Sequence, residues 1–371
     1  MKIKAAVAKA PHSNFSLETL DIEKPRANEV LVKIKGVGIC HTDLIARDQF
    51  IPIPLPAVLG HEGAGEVVAV GDEVTKVHPG DAVILSFLSC GHCPRCEEGL
   101  STYCQDFPTL NYGGCRADGS TPLSKEGAPV SGSFFGQSSF ATYAIASERN
   151  VVKVTDQVTK GVPLEILGPL GCGIQTGAGS VINSLRCKKG SSLIIFGAGA
   201  VGLSAVMAAK IRQCKTIIAV DPVTARRDLA LELGATHVFD SADDNLADKI
   251  LALCPRGADY ALDTSGNPTV INNAITSLGS YGVLGLVGVP PNIESLSSFN
   301  IAHLITYGIQ IKGIIIGDSQ PDTFIPRLID LYISGDFPFD RLIKTFAFEA
   351  FNAAIDSHKK GECVKAVILT N

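Results

Sequence analysis

Little in this 371-residue chain points toward a nucleic acid or a membrane. Its 32 basic and 37 acidic residues leave a net charge of −5 with both signs interspersed, so no basic patch is present to grip a polyanion. Apolar stretches are broken by Gly, Pro or charge before they reach transmembrane length. The opening MKIKAAVAKAPHS lacks the continuous apolar core of a signal peptide, and a cytoplasmic location is the expectation. Internal repeats and low-complexity runs are also missing, so neither a solenoid nor a disordered tract is needed. The partners left over are small molecules and other copies of the chain.

What the chain does have is length enough for two domains, each with a substantial core. Up to about residue 155 short β-type runs, such as 29–35, 65–70 and 81–85, are punctuated by Gly and Pro, which predicts a β-rich domain with long loops. From about 174 the texture changes. Continuous apolar runs at 192–196 and 216–220 alternate with helical stretches at 200–211 and 225–233, the pattern of a parallel sheet covered on both faces. Further strands are expected near 237–239, 259–262, 283–287 and 309–315, completing a doubly wound unit of six. A last helical segment at 324–333 and a strand at 364–369 are too few to stand alone. The expected organisation is therefore a catalytic domain over 1–173, a dinucleotide-binding domain over 174–318, and a return of 319–371 to the first.

Directly after the run 192–196 comes Gly197-Ala-Gly199-Ala-Val-Gly202, opening a helix. A lone G-x-G-x-x-G is weak, but here the strand, the helix and an acid at the end of the next strand, Asp221, all accompany it. Gly197 and Gly199 would let a pyrophosphate approach the backbone, Gly202 would let the helix pack closely, and the helix N-terminus would face the phosphates. A carboxylate at Asp221 suits the ribose hydroxyls of NAD and repels the 2′-phosphate of NADP. Arg226, a little over one helical turn further on, could grip the ribose or tolerate NADP; the acid is given the greater weight.

Eleven cysteines in a long chain without a secretory leader point to metal or catalysis before disulfides. Cys90, Cys93, Cys96 and Cys104 fall within fifteen residues rich in Gly, Pro and charge. Four converging thiolates need a cation, and an all-thiolate tetrahedral site suits a structural Zn2+. The spacing matches neither common iron–sulfur pattern. Cys115, Cys187, Cys214, Cys254 and Cys363 show no ligand spacing and read as small buried hydrophobes.

Two further fragments, Gly38-Ile-Cys40-His41-Thr42-Asp43 and Gly60-His61-Glu62-Gly63-Ala64-Gly65-Glu66-Val67, complete a constellation. With the four-cysteine lobe and the dinucleotide motif, the chain resembles the zinc-dependent medium-chain alcohol dehydrogenases over essentially its whole length. That resemblance implies an α/β protein with a GroES-like β-rich catalytic domain and a Rossmann domain, and two Zn2+ per subunit. It implies a catalytic zinc on Cys40, His61 and Cys172, the Cys2His set of alcohol dehydrogenases, with a position left open for substrate. Asp43 would hold the free nitrogen of His61, and Glu62 would stand behind the ligands. Thr42 would take the substrate hydroxyl proton, although a hydroxyl there could merely cap a helix. Thr176 would contact the nicotinamide end and His41 the pyrophosphate, and Lys365 resembles another phosphate-contacting position. Since a histidine is only partly charged near neutrality, its grip on the cofactor should fade as pH rises. Zinc would stabilise the alkoxide, and hydride would pass to NAD.

The sequence departs from the liver-type pattern at Ile45, where a proton-relaying histidine is replaced by a side chain that cannot carry a proton; Arg47 is a conceivable helper. Phe87, Phe134 and Phe135 fall at or near the family's substrate-pocket positions and, with Ile45, resemble the bacterial aryl-alcohol (benzyl-alcohol) branch. The alternatives are S-(hydroxymethyl)glutathione (formaldehyde) or general aliphatic alcohol oxidation, and, in a different class, a silent nucleotide-binding protein. The apolar loop 50–56 disfavours an anionic substrate, and retention of Cys40, His61 and Cys172 disfavours a silent one. Relatives are dimers or tetramers, and a homo-oligomer is expected.

Overall fold

The computed structural model describes residues 1–292 and 294–370. The chain divides into two compact units, one formed by Met1–Cys172, Gln320–Ile333 and Asp340–Asn371, the other by Gly173–Ser319 and Ser334–Phe339. Against the expected bounds, Gly173 and Ser319 fall in the second unit, and the return from 319 is interrupted once. The segment Ser334–Phe339 belongs with the second unit, where the rings of Phe337 and Phe339, both fully buried, lie 6.4 Å apart.

In the first unit, Glu29–Gly38 is the central strand. It pairs antiparallel with Gly63–Val70, with Tyr143–Ser147 and with the late strand Lys365–Leu369 in a seven-stranded sheet. Its burial alternates little because both faces are covered: Val30, Val32, Ile34 and Val37 are all within 1% of complete burial. A separate five-stranded sheet contains Lys2–Ala8 and Ser16–Ile22. Two registers matter for function. Val37 lies opposite Gly63, so the residues just beyond each strand end, Cys40 and His61, come out side by side. Val367 lies opposite Gly38, which sets Lys365 beside Ile39.

The second unit is a six-stranded, all-parallel sheet in the order His237–Phe239, Thr216–Val220, Ser192–Phe196, Ala258–Asp263, Leu278–Leu286, Gln310–Gly313. In sequence rank this is 3-2-1-4-5-6, the doubly wound dinucleotide order, and each strand overlaps an apolar run read from the sequence, the fifth beginning five residues before the expected 283. Ile194, Phe196, Ile218, Val220, Ala261 and Leu284 pack against Leu246, Ile250 and Ile275 from helices on the sheet. Among the described residues no helix is long and apolar enough to cross a membrane.

Candidate functional site

Cys40, His61, Glu62 and Cys172 each bring one ligand-type atom into a group whose members all lie within 4.8 Å of one another. The first two arrive by the strand register just described. Cys172 arrives on the turn Gly168–Gly171, which rests backbone to backbone on the sheet: a Cβ on Gly168 would lie 2.1 Å from the Glu62 carbonyl oxygen, and one on Gly171 2.1 Å from that of Leu85. Ser86 fixes the turn by donating its hydroxyl to the Gly171 carbonyl at 2.7 Å.

Asp43, fully buried in the helix His41–Arg47, orients two of these groups at once. Its Oδ1 accepts from His61 Nδ1 at 2.7 Å and from the Gly60 N–H at 3.1 Å, while Oδ2 accepts the Cys40 N–H at 2.9 Å. With Nδ1 engaged, His61 Nε2 is left buried with no hydrogen-bond partner. An orphaned imidazole nitrogen facing two thiols is costly unless a cation binds there, so the donor set fits a metal ion. The thiols act as a pair. The hydrogen bond from Cys172, together with His61 and against burial, holds Cys40 well below the ordinary thiol value; the same bond and burial push Cys172 well above it. A divalent cation lets both ionise.

Glu62 stands behind these ligands. Both its carboxylate oxygens lie 3.0 Å from Lys365 Nζ, which also donates to the Ile39 carbonyl at 3.1 Å. Burial opposes the charge on Lys365, but the carboxylate of Glu62 outweighs it and holds the ammonium above its ordinary value. Lys365 is only 2% exposed, and its ammonium is shared between Glu62 and the Ile39 carbonyl. Arg47 is paired within its own helix end. Its guanidinium makes a two-point pair with Asp48, at 2.6 and 2.8 Å, and lies over the ring of Phe15. Thr42 Oγ1 lies 3.8 Å from the Cys40 sulfur, Ile45 is half-buried on the same helix, and His41 is exposed at its start.

Aromatic rings enclose the imidazole. Phe135 stacks on His61 at 4.4 Å with an interplanar angle of 22°, and Phe134 meets it edge-on at 5.5 Å. Phe135 does so from the left-handed region, φ 52°, a conformation that costs a bulky residue about 1–2 kcal/mol. The turn is held by Asn150, which donates to the carbonyls of Phe135 at 3.1 Å and Gly136 at 3.2 Å. Phe134 is fully buried and Phe87 nearly so; Phe87 packs on Phe107 at 5.8 Å. Sequence reasoning missed Tyr112, whose ring stands edge-on to Phe135 at 5.6 Å. Burial, and then the charge of Cys172, push its hydroxyl up to about 12. The aromatic content of 107–112 was the available signal.

Cys90, Cys93, Cys96 and Cys104 likewise converge within 4.8 Å. The N–H groups of Cys90 and Cys93 donate to the sulfurs of Cys104 and Cys90, each at 3.3 Å, as backbone donors do around metal-bound thiolates.

In the second unit the glycines behave as a phosphate cradle requires. Gly197 has φ 97°, and a Cβ on Gly202 would lie 1.8 Å from the Gly197 carbonyl oxygen, so the helix Ala200–Ile211 approaches its loop as only glycine allows. A Cβ on Gly199 would meet nothing within 4 Å; the space over the helix N-terminus is open for a ligand. Asp221, 3% exposed, accepts the Ala198 N–H at 2.7 Å and the Val223 N–H at 2.8 Å, and Arg226 Nη1 lies 3.9 Å away. Thr176 is buried in the helix Gly173–Gly179.

Comparison with known proteins agrees with this geometry. The Alcohol dehydrogenase GroES-like domain family matches residues 26–156, and the Zinc-binding dehydrogenase family matches residues 200–334. The geraniol dehydrogenase of Castellaniella defragrans is 46% identical over 368 residues, 99% of this chain and 97% of that protein. The chain belongs to the zinc-dependent medium-chain alcohol dehydrogenases. Among solved structures, this dehydrogenase is similar to a zinc-binding-domain alcohol dehydrogenase from Burkholderia ambifaria, with a TM-score of 0.97, 50% identity, and coverage of 100% of this chain and 99% of that one. It is similar also to the benzyl alcohol dehydrogenase of Acinetobacter calcoaceticus, with a TM-score of 0.95, 44% identity and complete coverage of both chains.

Proposed function

We propose that this alcohol dehydrogenase oxidises primary alcohols whose carbinol carbon adjoins an sp2 carbon, with benzyl alcohol as the reference substrate, and passes the hydride reversibly to NAD. The carrying observation is the ring cluster of Phe135, Tyr112 and Phe107 built onto the His61 imidazole. Such walls favour flat, unsaturated groups, and a neighbouring π-system stabilises the carbon from which hydride departs. Two relatives are named for alcohols of this kind, geraniol being allylic and benzyl alcohol its aromatic counterpart.

Cys40, His61 and Cys172 would hold the catalytic zinc, and Cys90, Cys93, Cys96 and Cys104 a structural one. When bound, zinc supplies the Lewis acid that favours the alkoxide, and NAD supplies the hydride acceptor. Thr42 receives the hydroxyl proton. Ile45 cannot relay it, so it leaves through water. Asp43 keeps His61 in the tautomer that leaves Nε2 free to bind a metal, Glu62 and Lys365 fix the floor beneath the residues that would hold it, and Phe134 and Phe135 keep bulk water from the imidazole. Gly197, Gly199 and Gly202 admit the pyrophosphate, with His41 as its side-chain contact and Thr176 at the nicotinamide end. Asp221 favours NAD over NADP by taking the ribose hydroxyls, with Arg226 beside it.

A homo-oligomer is part of the proposal. The edge strand Gln310–Gly313 and its neighbourhood expose Ile301, Ile305 and Tyr281, the last two at 76% and 80%, apolar surface that a second copy would cover. The test of substrate class is NADH formation on benzyl alcohol, geraniol, ethanol and S-(hydroxymethyl)glutathione. The proposal expects kcat/KM for the first two to exceed that for ethanol by tenfold or more; preference for ethanol or the glutathione adduct overturns it.

A further inference from the structure

A fully buried amide, the side chain of Gln137, lies against the backbone of His61. It follows directly on the turn Phe134–Gly136, which carries the two rings that enclose the imidazole. From there residues 137–140 run beside 58–63: the Ser139 and Phe140 N–H groups donate to the carbonyls of Gly60 and Leu59, both at 2.9 Å. A Cβ on Gly63 would lie 2.7 Å from the Ser139 Cβ and 3.3 Å from Gln137 Oε1, so this close approach needs glycine. Every hydrogen bond that a primary amide can form is made. Nε2 donates to the carbonyls of His61 and Ser86, both at 3.0 Å, and Oε1 accepts the Gly63 N–H at 3.2 Å and the Ser139 hydroxyl at 2.8 Å. Backbone partners fix which way the amide faces, because a carbonyl can only accept and an N–H only donate.

We propose that Gln137 is a positioning residue that locks His61 and the Phe135 wall into one rigid piece, and so sets both the hold on the catalytic zinc and the preference for flat, unsaturated alcohols. The inference rests on the reading above that Cys40, His61 and Cys172 hold that zinc and that Phe135 walls the substrate. Two partners of the amide lead to those ligands. His61 is one of them, and Ser86 donates its hydroxyl to the carbonyl of Gly171, the residue before Cys172. The Ser86 carbonyl also accepts from Asn150 Nδ2 at 3.3 Å, the nitrogen that holds the carbonyls of Phe135 and Gly136. Ser86 thus ties the ring-bearing turn to the Cys172 turn, and Gln137 ties both to His61. Asp43 fixes the imidazole; Gln137 fixes the carbonyl of the same residue. A buried polar group with all its bonds made rigidifies what it joins, and its removal leaves buried partners without a bond. The imidazole and the ring stacked on it can then shift independently.

Two variants of the zinc-loaded, full-length protein test this. Gln137→Met keeps the length of the side chain and removes its hydrogen bonds, whereas in Gln137→Glu burial keeps the carboxyl protonated, so the acceptor and one donor remain. A chromogenic chelator should take the catalytic zinc from Gln137→Met about tenfold more readily than from wild type, while the zinc of the four-cysteine lobe is released as before. The ratio of kcat/KM on benzyl alcohol to that on ethanol should fall about fivefold or more, a change that a general loss of stability would not produce. Gln137→Glu should change both readings in the same direction by about threefold. A thermal melt establishes folding, and if Gln137→Met does not fold, Gln137→Glu decides. A folded deciding variant with either reading within twofold of wild type overturns the proposal. A wild type that prefers ethanol overturns the substrate class alone, since both readings are taken against wild type.

Discussion

Replacing Asp43 with Asn removes one charge and one acceptor from a residue that serves three N–H groups. In the wild type, Oδ1 takes His61 Nδ1 at 2.7 Å and the Gly60 N–H at 3.1 Å, and Oδ2 takes the Cys40 N–H at 2.9 Å. An amide offers a single oxygen. If it faces His61, its NH2 opposes the Cys40 N–H; if it faces Cys40, His61 loses the bond that fixes its tautomer. Either way one hydrogen bond to a charged partner becomes a donor–donor clash in a fully buried place, a loss of about 1.5–3 kcal/mol. At about 1.4 kcal/mol per decade this is roughly a 10- to 100-fold fall in zinc affinity, the range typical of groups that orient metal ligands. Competition with a chromogenic chelator measures the affinity, kcat/KM on benzyl alcohol reports its effect on turnover, and a thermal melt checks that the variant is folded. A folded Asp43→Asn protein with zinc affinity and kcat/KM within twofold of wild type would refute the orienting role.

Ile45→His should restore a proton-passing group beside Thr42 and change the pH profile of alcohol oxidation; an unchanged profile removes the argument that this helix position limits proton exit. Asp221→Ser should raise the kcat/KM ratio of NADP over NAD at least tenfold, because the carboxylate that repels a 2′-phosphate is gone and Arg226 remains; a constant ratio contradicts the cofactor assignment. A pH effect on stability should come from Glu18. Burial opposes its charge, but the Lys125 and Lys9 ammonium groups hold it down at about 2 from an ordinary 4.5. A depressed carboxyl stabilises the fold above its unfolded value, so this contribution should be complete above about pH 4.5 and vanish as pH falls toward 2. Glu18→Gln should flatten that part of the acid denaturation curve, and an unaltered curve would show that the pairs contribute nothing.

Much of this could be read from the sequence because its signals were local. A strand, a glycine turn and a helix in succession define the cradle at Gly197, Gly199 and Gly202, and the four-cysteine lobe spans one short loop. The long-range metal site had no such local signature: Cys40, His61 and Cys172 meet only through the opposed strands Glu29–Gly38 and Gly63–Val70 and a turn packed across them. Family resemblance, not spacing, gathered them in advance. The pairing of Lys365 with Glu62 was equally hidden, because strand register brings the two together. Tyr112 was illegible for the same reason. Its meaning lies in what it touches across the fold, at ring distances that no sequence period encodes.

Stripping the metal tests the catalytic centre most directly. The protein is dialysed against a strong chelator and assayed for NADH formation on benzyl alcohol before and after zinc is returned, beside a Cys172→Ser variant treated identically. The account predicts that turnover disappears with the metal, returns with zinc in the wild type, and does not return in the variant. Full turnover in verified metal-free protein would contradict it.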